Sequence, residues 1–446
     1  MRNLVRDVRT RVKSALFDLG DTLWFVPAIM TSVAVALAFT MLAVDRNLLA
    51  GQEVVEWALF SGGAEGARGV LTTIASTMIT VATTAFSITL VALQLASSQY
   101  SPRILRGFTG DRGNQMVLGT FIATFAYTIV ILRAIKSPAE DRVAFVPSAS
   151  VSVAILLAFA AIGSLIYFFH HATRVIQASV VIDRTTQDVL GLVSAHARRH
   201  EANSLPGVTS PLDRDDTVPL PLDRAGYVVS LDYGTVARAA AEHRMVLTMV
   251  VQVGDYLLSS TPVVEVPASH WSTFTAAERD NIRDRLRSAC QLDMERTLEH
   301  DVRFGFRQLS DIVIRALSPG VNDPTTAITA INSLGESLLQ ARDFPTELRY
   351  QAAGDGGGVR FWTVGFDQLI DETLPQIRHY GAADATVMSH LLVMLREVSR
   401  DATENVRGIL EQHGRQVIEE ALASIQLPAD RHHVRAAARW IPGMDV

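Results

Sequence analysis

The sequence has one cysteine, Cys290, in 446 residues, which excludes an intramolecular disulfide framework and any zinc site built on four cysteines. Charge is also scarce. Only 19% of residues are Asp, Glu, Lys or Arg, below the roughly 25% of ordinary soluble proteins, while 48% are hydrophobic. The formal net charge of −6 excludes a generally basic nucleic-acid binder. The motifs of common catalysts are missing as well: there is no His-Glu-x-x-His, no Gly-x-Ser-x-Gly and no Gly-rich phosphate loop. No nucleophile, base or metal set has productive spacing, so neither an enzyme nor a bound cofactor is expected. A chain of this length exceeds one ordinary core and predicts two or three domains.

The charge deficit is concentrated before residue 171. Four apolar runs lie there, at residues 23–44, 70–96, 116–132 and 151–169, and none contains a charged side chain. At about 1.5 Å per residue each can cross a hydrocarbon layer of about 30 Å, the third with little to spare. The second is long enough to tilt or to project beyond the bilayer. The first run is too long for the apolar segment of a cleaved signal peptide, and no small-residue cleavage site follows it. Residues 23–170 are therefore expected to form the transmembrane domain.

Basic residues orient it. Arg2, Arg6, Arg9, Arg11 and Lys13 precede the first run, Arg103, Arg106 and Arg112 follow the second, and Arg174, Arg184, Arg198 and Arg199 follow the fourth. The positive-inside rule then places both termini in the cytoplasm of the bacterial inner membrane. Residues 1–22 carry Val5, Val8, Val12, Ala15, Leu16 and Leu19 at helical spacing, as expected of an amphipathic arm on the inner headgroups or docked on the cytoplasmic part. The pair His170-His171 falls at the end of the fourth run, where imidazoles snorkel or respond to pH.

The second run is unusual in holding nine hydroxyl side chains. At 100° per residue Thr73, Thr77, Thr80, Thr84 and Ser87 share one face, which continues to Gln94. Such a face either packs closely against another helix or lines a polar path for a small ion or solute. Both hold at once if the helix packs against copies of itself about an axis, which makes self-association the expected partnership besides the lipid bilayer.

Beyond the membrane runs, residues 171–222 read as a continuation of the fourth helix to about His200, followed by a proline-rich linker with an acidic run at 213–216. Residues 223–268 read as four short strands around Gly254-Asp255, a small β barrel or sandwich-like module. Residues 269–446 read as a mostly helical domain, with one strand over 359–364 after the glycine cluster 354–358. Within it Thr275 and Glu278 form a capping box, one long helix is expected over 292–317, and Asp323-Pro324 starts another. The fold class is thus a membrane protein with a four-helix transmembrane region and a cytoplasmic α+β part. Arg303, Arg307, Asp311 and Arg315 recur every four residues, with Asn322 and Asp323 in the next turn. They read as an ion-pair network, or as an anion site at the helix start near Thr325.

With these segments placed, the sequence resembles an uncharacterised bacterial membrane-protein family, domain of unknown function 2254. The resemblance rests on residues 98–103 (Ser-Gln-Tyr-Ser-Pro-Arg), Gly226-Tyr227-Val228, Glu295-Arg296-Thr297, residues 304–307 and above all residues 311–327. It implies a four-span integral membrane protein with a cytoplasmic C-terminal part and brings no activity with it. Two functions fit: a homo-oligomeric channel-like or transport-related protein, or an anchored sensor or scaffold that binds an anionic ligand or a protein through its cytoplasmic part.

Overall fold

A computed structural model describes residues 22, 24–47, 60–99, 111–136, 145–175, 177–202, 216–354 and 356–444. The amphipathic arm apart from Thr22, the segment 100–103 and the acidic run apart from Asp216 lie outside them. The chain divides into two compact units, residues 1–177 and 178–446.

The first unit holds four helices: α1 (Phe25–Asn47), α2 (Ala64–Gln99), α3 (Arg112–Ala134) and α4 (Ser148–Val175). All four are long and apolar enough to cross a bilayer. α3 is the central one, with 56% of its apolar stretch buried against 22% for each of the others. Alanines at the contacts (Ala34, Ala38, Ala75, Ala82, Ala85, Ala123, Ala154) let the backbones approach, and Phe121, Tyr127, Ile131 and Phe168 fill the space between. At 36 residues α2 is about 54 Å long, more than a bilayer core of about 30 Å.

The helix expected to run from the fourth apolar segment to about His200 is two helices. α4 ends at Val175, Gln177 N–H donates to Arg174 O, and α5 (Ala178–Ala202) opens the second unit.

In that unit β1 (Thr217–Pro221), β2 (Gly226–Leu231), α6 (Tyr233–Glu242), β3 (Val246–Met249), β4 (Tyr256–Leu257) and β5 (Pro262–Pro267) come first. Then follow α7 (Ala268–Thr273), α8 (Ala276–Ala289), β6 (Cys290–Asp293), α9 (Val302–Ala316) and α10 (Pro324–Ala341). The chain closes with β7 (Leu348–Ala352), β8 (Gly358–Trp362), α11 (Phe366–Gly381), α12 (Ala385–Ser399), α13 (Glu404–Ser424) and α14 (Pro428–Ala437).

Of the expected barrel or sandwich-like module, no closed barrel forms: the strands make two open sheets that share one core. One has the order β1-β5-β3-β8-β7 and the other β4-β2-β6. Strands of two to six residues offer too few hydrogen bonds to close on one another, so they recruit β1 from the segment read as linker and β6 and β7 from the part read as mostly helical, together with β8, which falls where a strand is expected over 359–364. β1 carries Pro219 and Pro221 because it is an edge strand, where a missing N–H costs no ladder bond. β3 and β8 run parallel, with Leu247 opposite Val359, and the other pairs are antiparallel. Leu247, Met249, Val263, Val264 and Val266 of the large sheet share a core with Val236 and Ala240 of α6 and with Ile282 and Leu286 of α8. Cys290 is buried there as a small apolar residue, and burial pushes its thiol up to about 11.

The expected helix over 292–317 is shorter. Cys290–Asp293 pairs with β2, and α9 starts at Val302 because Asp301 accepts from Phe304 N–H at 2.9 Å. α9 to α14 then bury a second set of apolar side chains, including Leu309, Ile331, Leu338, Leu369, Leu391 and Leu410.

Candidate functional site

In the first unit α2 packs through Ala67, Leu71, Ala75, Met78, Ala82, Ala85 and Thr89, which recur at three- and four-residue intervals and are all buried. The hydroxyl face is on the other side. Thr73, Thr77, Thr80, Thr84, Ser87 and Gln94 are all exposed on the four-helix unit. Thr89, the ninth hydroxyl, is the buried exception. Among the described residues, packing within the four-helix unit therefore does not account for the stripe.

Each of several stripe hydroxyls donates to a carbonyl one turn back. Thr73 reaches Gly69 O at 2.8 Å, Thr80 reaches Ser76 O at 2.8 Å, Thr84 reaches Thr80 O at 3.0 Å and Ser87 reaches Thr83 O at 2.9 Å. Back-bonding removes the cost of an orphan O–H and lowers the penalty for meeting lipid. A count of nine hydroxyls is thus a weaker signal than it reads from sequence. The contrast between faces is stronger: α4 exposes Leu156, Phe159, Ile162 and Ile166, whereas one arc of α2 exposes Gly66, Gly69, Thr73, Thr77, Thr80, Thr84 and Ser87, with the exposed Ile79 and Phe86 lying to its side.

The six charged and polar residues selected around α9 are spread along it rather than gathered. At the N-terminal end Arg303 donates to Val253 O at 2.8 Å and to Asp255 at 2.6 Å. In the middle Arg307 Nε meets Asp311 Oδ1 at 2.8 Å and its Nη2 meets Gln376 of α11 at 2.6 Å. At the far end Arg315 is exposed, Asn322 takes a left-handed φ of 48°, and Asp323 caps α10 by accepting from Thr326 N–H at 3.0 Å and its hydroxyl at 2.6 Å. Those hydrogen bonds hold the Asp323 carboxyl below its usual range. Its carboxylate occupies the helix N-terminus that an anion would need.

Three other arrangements escaped the sequence reading. Arg296 makes a two-pronged contact with Asp301, Nε to Oδ2 at 2.8 Å and Nη2 to Oδ1 at 3.1 Å, and lies 3.4 Å from Glu372. Burial opposes its charge, and the two carboxylates outweigh burial, holding the guanidinium above its ordinary value. Asp45 at the end of α1 accepts from the N–H groups of Ala149 and Ser150, both at 3.0 Å, and so caps α4. Asp111, which caps α3, lies 2.9 Å from His171 Nε2, and the Tyr167 ring stacks on His171 at 5.3 Å. Their partners are 60 to 105 residues away, or in a turn whose geometry no local pattern shows. An acidic residue directly at a span end was the one available signal, and Asp45 carries it. Among the described residues no group of three or more His, Cys, Asp or Glu side chains could hold a metal ion.

Four bilayer-length helices ahead of a mixed helical and sheet unit define a predicted membrane protein. The chain matches the family model described as Predicted membrane protein (DUF2254) over residues 20–397 and belongs to that family. It is 33% identical over 410 residues to an uncharacterized protein of Mycobacterium tuberculosis, Rv1290c, and to one of Mycobacterium bovis, Mb1321c. Each alignment covers 90% of this chain and 76% of the relative. No solved structure matches.

Proposed function

We propose that the protein is a homo-oligomeric, channel-like or transport-related protein of the bacterial inner membrane rather than an enzyme. In this reading α1 to α4 span the bilayer, both termini are cytoplasmic, and the unit from Ala178 onward regulates the assembly. The hydroxyl face of α2 meets its own copies around an axis. The observation that carries the reading is the unlike character of the two exposed faces. α4 presents side chains suited to acyl chains, whereas α2 presents a lane of small hydroxyls that admits a close helix neighbour or a file of water.

The test is ion and solute flux through proteoliposomes that contain the full chain, together with its oligomeric state. Thr80→Leu and Thr84→Leu should reduce or abolish flux while leaving the fold intact, because both positions lie outside the buried face of α2. An intact oligomer with no flux for any small ion would remove the channel. A monomer in lipid would remove the shared axis.

A further inference from the structure

The large sheet has two faces, and α6 and α8 cover one of them. Leu247, Met249, Val264, Val266 and Val359 point from that face into the shared core. The residues between them leave by the other face. The register sets five of these in a single row across all the strands: Pro219, Glu265, Thr248, Arg360 and Tyr350. Leu348 and Trp362 pair in the next row. Val250 follows two residues after Thr248, its N–H still donating to Val263 O at 3.0 Å. Val250 and Trp362 are 37% and 43% exposed, and neither they nor Leu348 belong to the core under α6 and α8. Neighbouring apolar side chains left open on a sheet face call for a further layer.

Charge selects that layer. Glu265 and Arg360 flank Thr248, each one strand away, or about 4.8 Å in the hydrogen-bonding direction. Glu265 is half-buried and has no ion-pair partner among the described residues. The guanidinium of Arg360 has five N–H donors, so it can take a carboxylate in addition to its contacts within the chain. Two such faces stacked about 10 Å apart, the ordinary spacing of packed sheets, bring the row of one against the row of the other. With a two-fold axis running along β3, Glu265 of each copy stands over Arg360 of the other. With the axis across the strands like charges would meet, so the same two residues also fix the orientation. The face is its own complement.

We propose that the Glu265–Arg360 face of the large sheet is an interface between two copies of this chain, with Val250, Leu348 and Trp362 as its apolar part. The interface draws on the second unit alone and is independent of how α2 assembles.

The experiment co-expresses two differently tagged full chains and measures how much of one copurifies with the other in mild detergent. Glu265→Arg sets cation against cation at both contacts of the pair, and Arg360→Glu sets carboxylate against carboxylate. Each should cut copurification of like copies at least tenfold. Co-expressed with each other, the two variants face opposite charges and should copurify as wild type does, which also shows that both fold. A second readout keeps the wild-type charges. Val250→Cys, close to the axis, should cross-link to its own copy through a short bis-maleimide in lipid, and adding Glu265→Arg should remove the product. Cys290 is buried with its thiol pushed up to about 11, so the introduced thiol is the reactive one. Copurification unchanged in either single variant means that the copies meet elsewhere, α2 included, and overturns the interface. Failure of the mixed variants to recover overturns it as well. So does a Val250→Cys chain that stays uncross-linked or joins a protein of different mass.

Discussion

Asp45 Oδ2 accepts the backbone N–H of Ser150 at 3.0 Å and its hydroxyl as well, across 105 residues of sequence. Oδ1 accepts from Ala149 N–H. The carboxylate of one helix thus supplies the cap of another, at the end where the α4 dipole favours negative charge. Tyr127 closes the arrangement by donating to Ser150 O at 3.0 Å. Asp45, Tyr127 and Ser150 are all buried, so the carboxylate has little water to fall back on. Asp45→Ala should destabilise the four-helix unit by about 3 kcal/mol, the cost of stranding buried donors that had a charged acceptor. Asp45→Asn, which keeps one acceptor oxygen, should fall between. Thermal unfolding in a single detergent measures both, and an Asp45→Ala melt equal to wild type would show the cap to be dispensable.

Gly254 sits where a side chain has no room. Its φ is +95°, and a Cβ would collide with Asp301 Oδ2 and lie 2.9 Å from Arg296 Nη2. Gly254→Ala therefore combines backbone strain with displacement of a buried ion pair and should cost about 2–4 kcal/mol. Arg296→Met strands Asp301, 2% exposed, and should cost about 3–5 kcal/mol. The double variant should cost less than the sum, because both changes damage one contact. Denaturant unfolding of the four proteins gives the coupling, and strict additivity would separate the turn from the ion pair.

Local signals and remote ones fared differently in the sequence. Thr275 with Glu278 forms the expected capping box, and Asp323 with Pro324 starts α10 as expected, because a cap and its N–H partner are three residues apart. Bilayer-length helices are legible for the same reason, since each is a run of contiguous apolar residues. β6 reads as helix because Cys290–Asp293 becomes a strand only by pairing with β2, 60 residues earlier in the register Val228 to Leu292 and Leu231 to Cys290. β1 reads as linker because its prolines are acceptable only at a sheet edge, and the edge is a property of the assembled sheet. The hydroxyl stripe is visible in sequence, but which side of α2 packs is settled only by where α3 and α4 lie. The stack of Tyr233 on Phe361 shows no local signal either, since the two are far apart in sequence and meet only where β3 pairs with β8.

His413 predicts a pH dependence. The ring is 7% exposed on α13, its Nε2 lies 3.3 Å from Asp371 Oδ1, and its buried Nδ1 has no hydrogen-bond partner among the described residues. Burial lowers its pKa below the ordinary 6.5, Asp371 opposes this, and Arg378 adds to it. Protonation would place a second N–H where no acceptor waits. Below 6.5 the unfolded chain then binds more protons at this residue than the folded one, so stability rises with pH. The contribution is present above pH 6.5 and is lost as pH falls from there toward the lowered folded value. His413→Gln should flatten the fall in melting temperature between pH 7 and 5, and an unchanged slope would assign the titration to another group.

Gly113 tests the contact between the ends of α3 and α4. A Cβ there would stand 2.9 Å from Asp111 Oδ1, 2.9 Å from His171 Nε2 and 2.9 Å from the Tyr167 hydroxyl. The imidazole is held on both sides, by Asp111 at 2.9 Å and by the Tyr167 ring stacked 5.3 Å away, so it cannot yield without breaking one of them. Gly113→Ala should then cost about 1–3 kcal/mol, the usual range for an added methyl in filled space. His171→Ala removes one of the three obstructing groups and opens a path for the other two to relax. In that background the alanine at 113 should cost less than half as much, and helix propensity, which favours alanine over glycine by about 1 kcal/mol, should offset part of the remainder. Melting of the four proteins under one detergent condition decides it. An equal penalty with and without His171 would mean that the crowding comes from Asp111 and the backbone, and that the imidazole is free to move.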